Sequence, residues 1–186
     1  MTTKIRLEKL TAADFPVYFN LVGDEDVMAM ITERVIPLEE AKSDYEKRML
    51  ENQFHSDFGH FKIMEEKSDN FIGVGKLEIE APDSDRAELG YMLLPKYWGK
   101  GIAGEVARQL IEVARKHGFI TKLFAIIDPK NIPSRKILIN NGFVSKEFAD
   151  FDGLPGEVSI SVIGVQWFRS CRANYFVGHW ATFRLQ

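Results

Sequence analysis

Residues 98–104 have the types and spacing that bind a phosphate or diphosphate group. Gly99, Gly101, Ala103 and Gly104 carry little or no side chain where a helix is predicted to begin. The first N–H groups of a helix have no intrahelical partner and lie at the positive end of its dipole, so an anion can approach them where no Cβ intervenes. We therefore predict an anion site on the backbone of this loop. Its residues are Trp98, Gly99, Lys100, Gly101, Ile102, Ala103 and Gly104.

This loop is part of a series of three motifs along the chain. Residues 88–103 have the sequence ELGYMLLPKYWGKGIA, residues 128–135 have DPKNIPSR and residues 141–143 have NGF. In this order and at this spacing they resemble the GNAT acetyltransferase superfamily, and within it the branch that contains the ribosomal-protein N-terminal acetyltransferases. The resemblance is strong over residues 88–143, extends back to about residue 4 and is weak beyond about residue 157.

The resemblance implies an α+β fold, in which a mixed, mostly antiparallel seven-stranded sheet has helices on both faces. In this family two central strands splay apart, here the strand at 90–94 and the strand at 122–128. The pantetheine arm of acetyl-CoA inserts between them while the glycine loop holds the diphosphate. A backbone N–H of Met92, Leu93 or Leu94 would then polarise the thioester carbonyl, as preorganised donors do in acyl transfer.

The same resemblance brings Asn131 and Ser134 into the site. It places Asn131 against the pantetheine and Ser134 near the sulfur or the cosubstrate backbone. Both residues also suit a helix start, since Asn is a good N-cap and Ser134 would lie in the first turn. The two roles can hold together. Arg135 and Lys136 could reach the 3′-phosphate of the cosubstrate, although exposed helix cations are the commoner explanation.

Acetyl transfer to an amine also requires a base and a proton for the departing thiol. Glu88 is the predicted general base or water-holding group, and an ion pair with a neighbouring basic side chain explains it equally well. An α-amine titrates near ~7.7–8.0 and a lysine near ~10.4, so a water relay from Glu88 would suffice for an α-amine. Many family members supply the proton from a tyrosine where this chain has Leu138, so water or Ser134 would have to serve. The general acid is left unassigned.

Periodicity predicts the elements that position these residues. Strands are predicted near 4–10, 59–66, 70–80, 86–94, 121–127, 143–148 and 157–165, and helices near 12–21, 37–52, 103–114 and 132–141. Lys76 and Glu78 follow apolar residues on one face of the strand at 70–80, which predicts burial on both sides in its first half alone. Residues 150–156 are predicted to form a loop that helps to shape the acceptor pocket.

The length of 186 residues suits one domain, which we predict over residues 1–165. Residues 166–186 hold two of the three tryptophans and the single cysteine, Cys171. This tail could be an extra element, a contact within a homodimer or the product of an altered reading frame, and the sequence does not choose among these.

Composition excludes several classes of function. The net charge of −3 predicts no general attraction to nucleic acid or to an anionic membrane. The charged start and the absence of a run of ~20 apolar residues lead us to expect a soluble, cytoplasmic protein. The four histidines show no metal-ligand spacing, so no metal is predicted.

The resemblance implies an acetyl-CoA-dependent N-acetyltransferase, and we expect it to act by direct attack because no activated nucleophile is evident. The acceptor would be a primary amine, on a protein N-terminus or a small molecule. Two alternatives are kept. The first is a CoA-binding module without catalysis, which Leu138 and the tail leave open. The second is a dinucleotide-binding protein, since residues 99–104 also match G-x-G-x-x-G, with Asp128 at a strand end downstream.

Overall fold

A single seven-stranded sheet forms the centre of the protein. A computed structural model describes residues 3–151 and 153–163, so the tail at 166–186 lies outside the described residues. The strands are β1 (Ile5–Lys9), β2 (Gly59–Glu65), β3 (Phe71–Glu78), β4 (Arg86–Leu93), β5 (Lys122–Ile127), β6 (Val144–Phe151) and β7 (Leu154–Val162). The α-helices are α1 (Phe15–Val22), α2 (Glu25–Met28), α3 (Leu38–Glu51), α4 (Ile102–Lys116) and α5 (Ile132–Asn140).

The strand order is β1-β2-β3-β4-β5-β7-β6. The first four strands form an antiparallel meander, β7 pairs antiparallel with both β5 and β6, and β4 and β5 are parallel. The predicted mixed, mostly antiparallel sheet of seven strands is therefore confirmed. A dinucleotide-binding fold needs a run of parallel strands. The β4–β5 pair is the one parallel pair among the described strands, so that alternative is wrong.

Two hydrophobic clusters cover the two faces of the sheet. On one face lie α4 and α5, and α4 buries a stripe at helical spacing against Leu89 and Tyr91 of β4. That stripe consists of Ile102, Val106, Ala107, Leu110, Ile111 and Ala114. On the other face α1, α2 and α3 pack against Val74 of β3 and Met92 of β4. Helices on both faces are therefore confirmed, and successive residues of β4 face different clusters. None of the helices within 3–151 and 153–163 has the length and apolar character needed to cross a membrane.

Two local predictions were wrong. Strand β3 is buried along nearly its whole length, and Lys76 is 3% exposed. The lysine can be buried because a carboxylate lies beside it, which a pattern within one strand cannot reveal. The predicted loop at 150–156 is largely strand, since β6 runs to Phe151 and β7 begins at Leu154. Cross-strand pairing of Asp150 with Pro155 extends this hairpin.

Candidate active site

The sheet opens between β4 and β5. The two strands pair over Arg86–Glu88 and Lys122–Phe124. Beyond these residues β4 continues to Leu93 and β5 to Ile127 without further pairing to each other. The far half of β4 therefore offers a backbone edge on its β5 side, and Met92 and Leu93 belong to this half. This opening is the predicted splay of the central strands.

The glycine loop begins where this edge of β4 ends. Gly99 and Gly101 adopt left-handed conformations, with φ of 68° and 76°, which glycine reaches at little cost. Gly101 is the N-cap of α4 and has no side chain to bond the first N–H groups of the helix. A Cβ built at Gly99, Gly101 or Gly104 would meet no other heavy atom within 4 Å. The loop thus leaves open space in front of a helix N-terminus, and a diphosphate fits such a space.

Side chains around the loop have defined partners. Trp98 donates from Nε1 to the Leu93 carbonyl oxygen at 2.8 Å and is 42% exposed. This hydrogen bond ties the loop to the end of β4. The Lys100 ammonium lies 5.7 Å from the centre of the Tyr97 ring. Its positive charge is close to the loop, although its contact in the described structure is with the aromatic ring.

Glu88 lies where β4 and β5 begin to part. It is 2% exposed, and its Oε1 is 2.8 Å from Nζ of Lys76 on β3. Apart from this ammonium, no hydrogen-bond donor among the described residues reaches either carboxylate oxygen. The ion pair that the sequence left as an alternative role is thus present. Both oxygens keep lone pairs that a bound water or amine could use.

The electrostatics around Glu88 come from a small buried network. Lys76 also lies 3.5 Å from Oε2 of Glu78, and the same oxygen lies 3.5 Å from Nε2 of His60. His60 Nε2 is also 3.1 Å from Oε2 of Glu51 on α3. Burial raises the pKa of Glu88 to about 7, against the opposing attraction of Lys76. Burial also lowers the pKa of His60, so its imidazole is neutral at physiological pH. Glu88 therefore titrates in the range where a general base is useful.

Asn131 and Ser134 occupy the start of α5. The Asn131 side chain accepts a hydrogen bond from the Ser134 N–H at 3.1 Å, which confirms the predicted N-cap. Ser134 is fully buried, and its Oγ accepts a hydrogen bond from the Tyr91 hydroxyl at 3.3 Å. Burial raises the pKa of Tyr91 to about 12, so its proton is retained. The two hydroxyls join α5 to β4 on the α4 side, whereas Glu88 faces the α1–α3 side.

Leu138 and Arg135, which were also considered for this region, have structural roles. Leu138 is 1% exposed and packs in the cluster beneath α4. Arg135 donates from Nε to Oε2 of the buried Glu157 at 2.7 Å and from Nη2 to the Pro129 carbonyl oxygen at 2.7 Å. Its guanidinium is therefore engaged with β7 and the β5–α5 loop, so the structure gives no support to the interpretation that it reaches a 3′-phosphate.

Sequence reasoning missed Lys76 and Tyr91 as residues of the site. Tyr91 lies within the recognised motif, and its position three residues after Glu88 places it on the opposite face of β4. Lys76 had a weaker signal, which was a cation opposite Gly90 in the meander. A Cβ at Gly90 would lie 2.9 Å from Cγ of Lys76, so the glycine leaves the room that the lysine stem fills.

Comparisons with known proteins agree with this geometry. Residues 4–144 match the family model of the acetyltransferase (GNAT) domain. An uncharacterised N-acetyltransferase, p20 of Bacillus licheniformis, is 25% identical over 144 residues, covering 76% of this chain and 80% of that protein.

Two solved structures illustrate the range of related folds. RimL, a ribosomal L7/L12 alpha-N-protein acetyltransferase in complex with coenzyme A, superposes with a TM-score of 0.72 at 18% identity, covering 88% of this chain and 96% of that one. Spermidine N-acetyltransferase from Vibrio cholerae, in complex with CoA and spermine, gives 0.69 at 16% identity, with 85% and 95% covered. At these identities the two likenesses establish the fold.

Proposed function

The chain belongs to the GNAT acetyltransferase family, and from this premise we propose that it transfers the acetyl group of acetyl-CoA to a primary amine at the opening between β4 and β5. The observation that carries the assignment of the site is the parting of these strands directly beside the glycine loop. One opening can then hold an extended pantetheine arm while the adjacent helix N-terminus holds the diphosphate.

The backbone of residues 98–104 would hold the diphosphate of acetyl-CoA. The space in front of Gly99, Gly101 and Gly104 supports this placement, because side chains there would fill it. The exposed edge of β4 would pair with the pantetheine amides and direct an N–H of Met92, Leu93 or Leu94 at the thioester carbonyl. Such a donor contributes about 3 kcal/mol to an acyl-transfer barrier. Asn131 would contact the pantetheine from the start of α5.

Glu88 would take the proton from the attacking amine, directly or through a water. Its buried position, its pKa of about 7 and its Oε2, which no donor among the described residues reaches, support this role. The amine attacks the thioester carbon, the carbon–sulfur bond breaks and CoA leaves as a thiolate. Because no acyl-enzyme is involved, one base and one acid complete the reaction.

Ser134 is the candidate donor of the proton that the thiolate takes up. Its buried hydroxyl lies at the start of α5 and accepts a hydrogen bond from the Tyr91 hydroxyl of β4 at 3.3 Å. A thiol titrates near ~8.5, so the departing thiolate needs modest assistance. This pair of hydroxyls could supply the proton that, in many family members, comes from a tyrosine at the position of Leu138. Without an effective donor, the chain would be the CoA-binding module considered above.

The acceptor would approach on the α1–α3 side of the sheet, since Glu88 faces that side. A cavity of about 250 Å³ lies on that side, near the end of β4 that is far from Glu88, and Glu88 is not part of its lining. Its lining comes from α1, from the first residues at β3 and from the segment after β4, and consists of Val17, Asn20, Asn70, Phe71, Leu94 and Lys96. A protein N-terminus and a polyamine are the acceptors named for the two solved structures above. We keep both as candidates, because each presents a primary amine.

The test is an amine-dependent release of free thiol. Purified protein is incubated with acetyl-CoA and, separately, with N-terminal peptides, spermidine and lysine derivatives. We expect thiol release with at least one class of amine. Glu88→Gln should lower kcat/KM for that amine about 10²-fold at pH 7 without changing the Kd for acetyl-CoA.

The matched control is Glu80→Gln, an exposed carboxylate on the β3–β4 connection that pairs with Arg86. It should leave both quantities unchanged. Tight CoA binding without amine-dependent thiol release would support the non-catalytic module instead. Unchanged turnover in Glu88→Gln would remove Glu88 from the mechanism while leaving the cosubstrate site intact.

A further inference from the structure

We propose that His55, Asp57 and His117 form a binding site for a divalent transition-metal ion of the zinc class. His55 and Asp57 lie in the connection between α3 and β2, and His117 is the C-cap residue of α4. The glycine loop lies at the other end of α4, about 20 Å away for a helix of this length. The proposed metal site is therefore separate from the proposed active site and does not depend on it.

The three side chains already converge. One ligand atom from each lies within 4.8 Å of the other two. His117 Nε2 is 3.0 Å from Asp57 Oδ2, and the Asp57 N–H donates to His55 Nδ1 at 3.0 Å. Ligand atoms around a tetrahedral zinc ion, with bonds of ~2.0–2.2 Å, are roughly 3.4 Å apart. Small side-chain rotations would therefore bring all three onto one ion.

The donor set has the chemistry of a zinc site. Two imidazoles and a carboxylate are borderline and hard ligands of the kind that bind Zn²⁺, Co²⁺ and Ni²⁺. His55 Nδ1 accepts the Asp57 N–H bond, so it presents a lone pair, and coordination there would replace that hydrogen bond. Asp57 has a side-chain exposure of 54%, so water can complete the coordination.

Packing holds the ligands in place. The His55 and His117 rings are 4.9 Å apart and nearly perpendicular, at 88°. Both contact the buried Phe58 ring, at centroid distances of 5.0 Å. The Lys9 ammonium donates to the carbonyl oxygens of His55 and Phe58 and, at 3.2 Å, to that of Ser56. The loop that carries two ligands is therefore fastened to β1, which limits the entropy lost on binding.

A second group of possible ligands, Glu51, His60 and Glu78, is a poorer site. Lys76 Nζ lies 3.5 Å from Glu78 Oε2 and already supplies a positive charge there. A divalent ion beside this ammonium would meet like-charge repulsion in a buried place. The two groups make different predictions for mutagenesis, which lets one experiment distinguish them.

The proposed ion would join the connection after α3 to the end of α4. Sequence spacing did not predict it, because 60 positions separate Asp57 from its partner His117. A ligand that binds only the folded state raises the free energy of unfolding by RT ln(1 + [L]/Kd). Zinc should therefore raise the melting temperature of the protein.

The experiment titrates tag-free, chelator-treated protein with ZnSO₄ by calorimetry, with CoCl₂ absorbance as a second readout. We expect one ion per chain and a raised Tm. His117→Ala, His55→Ala and Asp57→Asn should each weaken binding at least tenfold and remove the rise in Tm. Asp57 is exposed, so Asp57→Asn should fold normally and keep the test valid if a histidine variant does not.

Asp83→Asn, an exposed carboxylate on the β3–β4 connection, is the matched control and should bind zinc as the wild type does. The proposal is overturned if zinc does not bind. It is also overturned if Asp57→Asn and His117→Ala bind normally, or if Glu51→Gln removes binding, since this would assign the ion to the other group.

Discussion

At the scale of single residues, the buried pair of Lys76 and Glu88 is the feature with the largest chemical effect. Burial alone disfavours a carboxylate anion, whereas an ammonium at 2.8 Å favours it. The balance leaves the pKa of Glu88 at about 7. A base with this pKa is deprotonated above neutrality and can still accept a proton from an amine. The rate should therefore rise with pH through about 7.

Removal of Lys76 tests this balance. In Lys76→Met the carboxylate loses its attractive partner, so the pKa of Glu88 should rise by a further ~1–3 units. Since the deprotonated form is the active one, the acidic limb of the kcat/KM profile should move to higher pH and activity at pH 7 should fall. The measurement is kcat/KM for the amine between pH 5.5 and 9.5.

Lys146→Met provides the control, because Lys146 lies on the exposed strand β6. Its pH profile should coincide with that of the wild type. A Lys76→Met profile with the acidic limb unmoved would mean that a different group sets the pH dependence, whatever its effect on stability.

At the scale of elements, the segment from β4 to α5 could be predicted from sequence to within a few residues. Its signals are local: Pro95 after a strand, glycines at a helix start, an apolar stripe along α4 and the Asn131 cap. Two features could not be predicted from sequence, the burial of Lys76 and the Tyr91–Ser134 hydrogen bond. Each depends on contacts between segments that are distant in the chain. The His55–Asp57–His117 group was missed for the same reason.

The glycine loop allows a test that separates binding from folding. A valine at Gly104 would place its side chain in open space, so the free energy of unfolding should change by under ~1 kcal/mol. The same side chain would occupy the proposed diphosphate position. Gly104→Val should therefore raise the Kd for CoA about tenfold or more, measured by calorimetry.

Arg115→Val places the same residue at an exposed position near the other end of α4. CoA affinity should remain at its wild-type value in that variant. Equal affinities in Gly104→Val and the wild type would contradict the placement of the diphosphate in front of α4.

The close pairing of β3 with β4 requires a glycine at position 73, because there is no room for a side chain there. A Cβ at Gly73 would lie 2.0 Å from the Met92 carbonyl oxygen, and backbone cannot move aside as a flexible side chain can. Gly73→Ala should destabilise the protein by about 3 kcal/mol, towards the upper end of overpacking costs. Urea unfolding measures this change.

Gly75 lies in the same strand, where a Cβ would meet the Val106 side chain at 3.3 Å. Gly75→Ala should therefore cost less, about 1 kcal/mol. Similar costs for the two variants would show that the close approach of β4 at Gly73 has little energetic effect.

At the scale of the whole molecule, the part of the chain that the structure describes is built on one seven-stranded sheet with a hydrophobic cluster on each face. That residues 1–165 form one domain stays a prediction, as do the tail and the homodimer. A chain that ends at residue 165 should keep its Tm and should bind acetyl-CoA within roughly twofold of the full chain.

A chain that ends at Pro155 is the contrasting case, since it lacks most of β7, which joins β6 to β5. It should fail to fold. Loss of folding in the longer truncation as well would assign residues 166–186 a part in the domain itself.

Because β4 and β5 pair over only three residues each, the sheet consists of two parts, β1–β4 and β5–β7. These parts are joined by backbone hydrogen bonds at one end alone. An inserted pantetheine arm would supply amide groups along the remaining seam. Part of the stability of the folded enzyme would then come from bound CoA and not from the polypeptide itself. We expect amide exchange at 89–93 to slow when CoA is bound, and the resistance of the protein to proteases to follow the CoA supply of the cell.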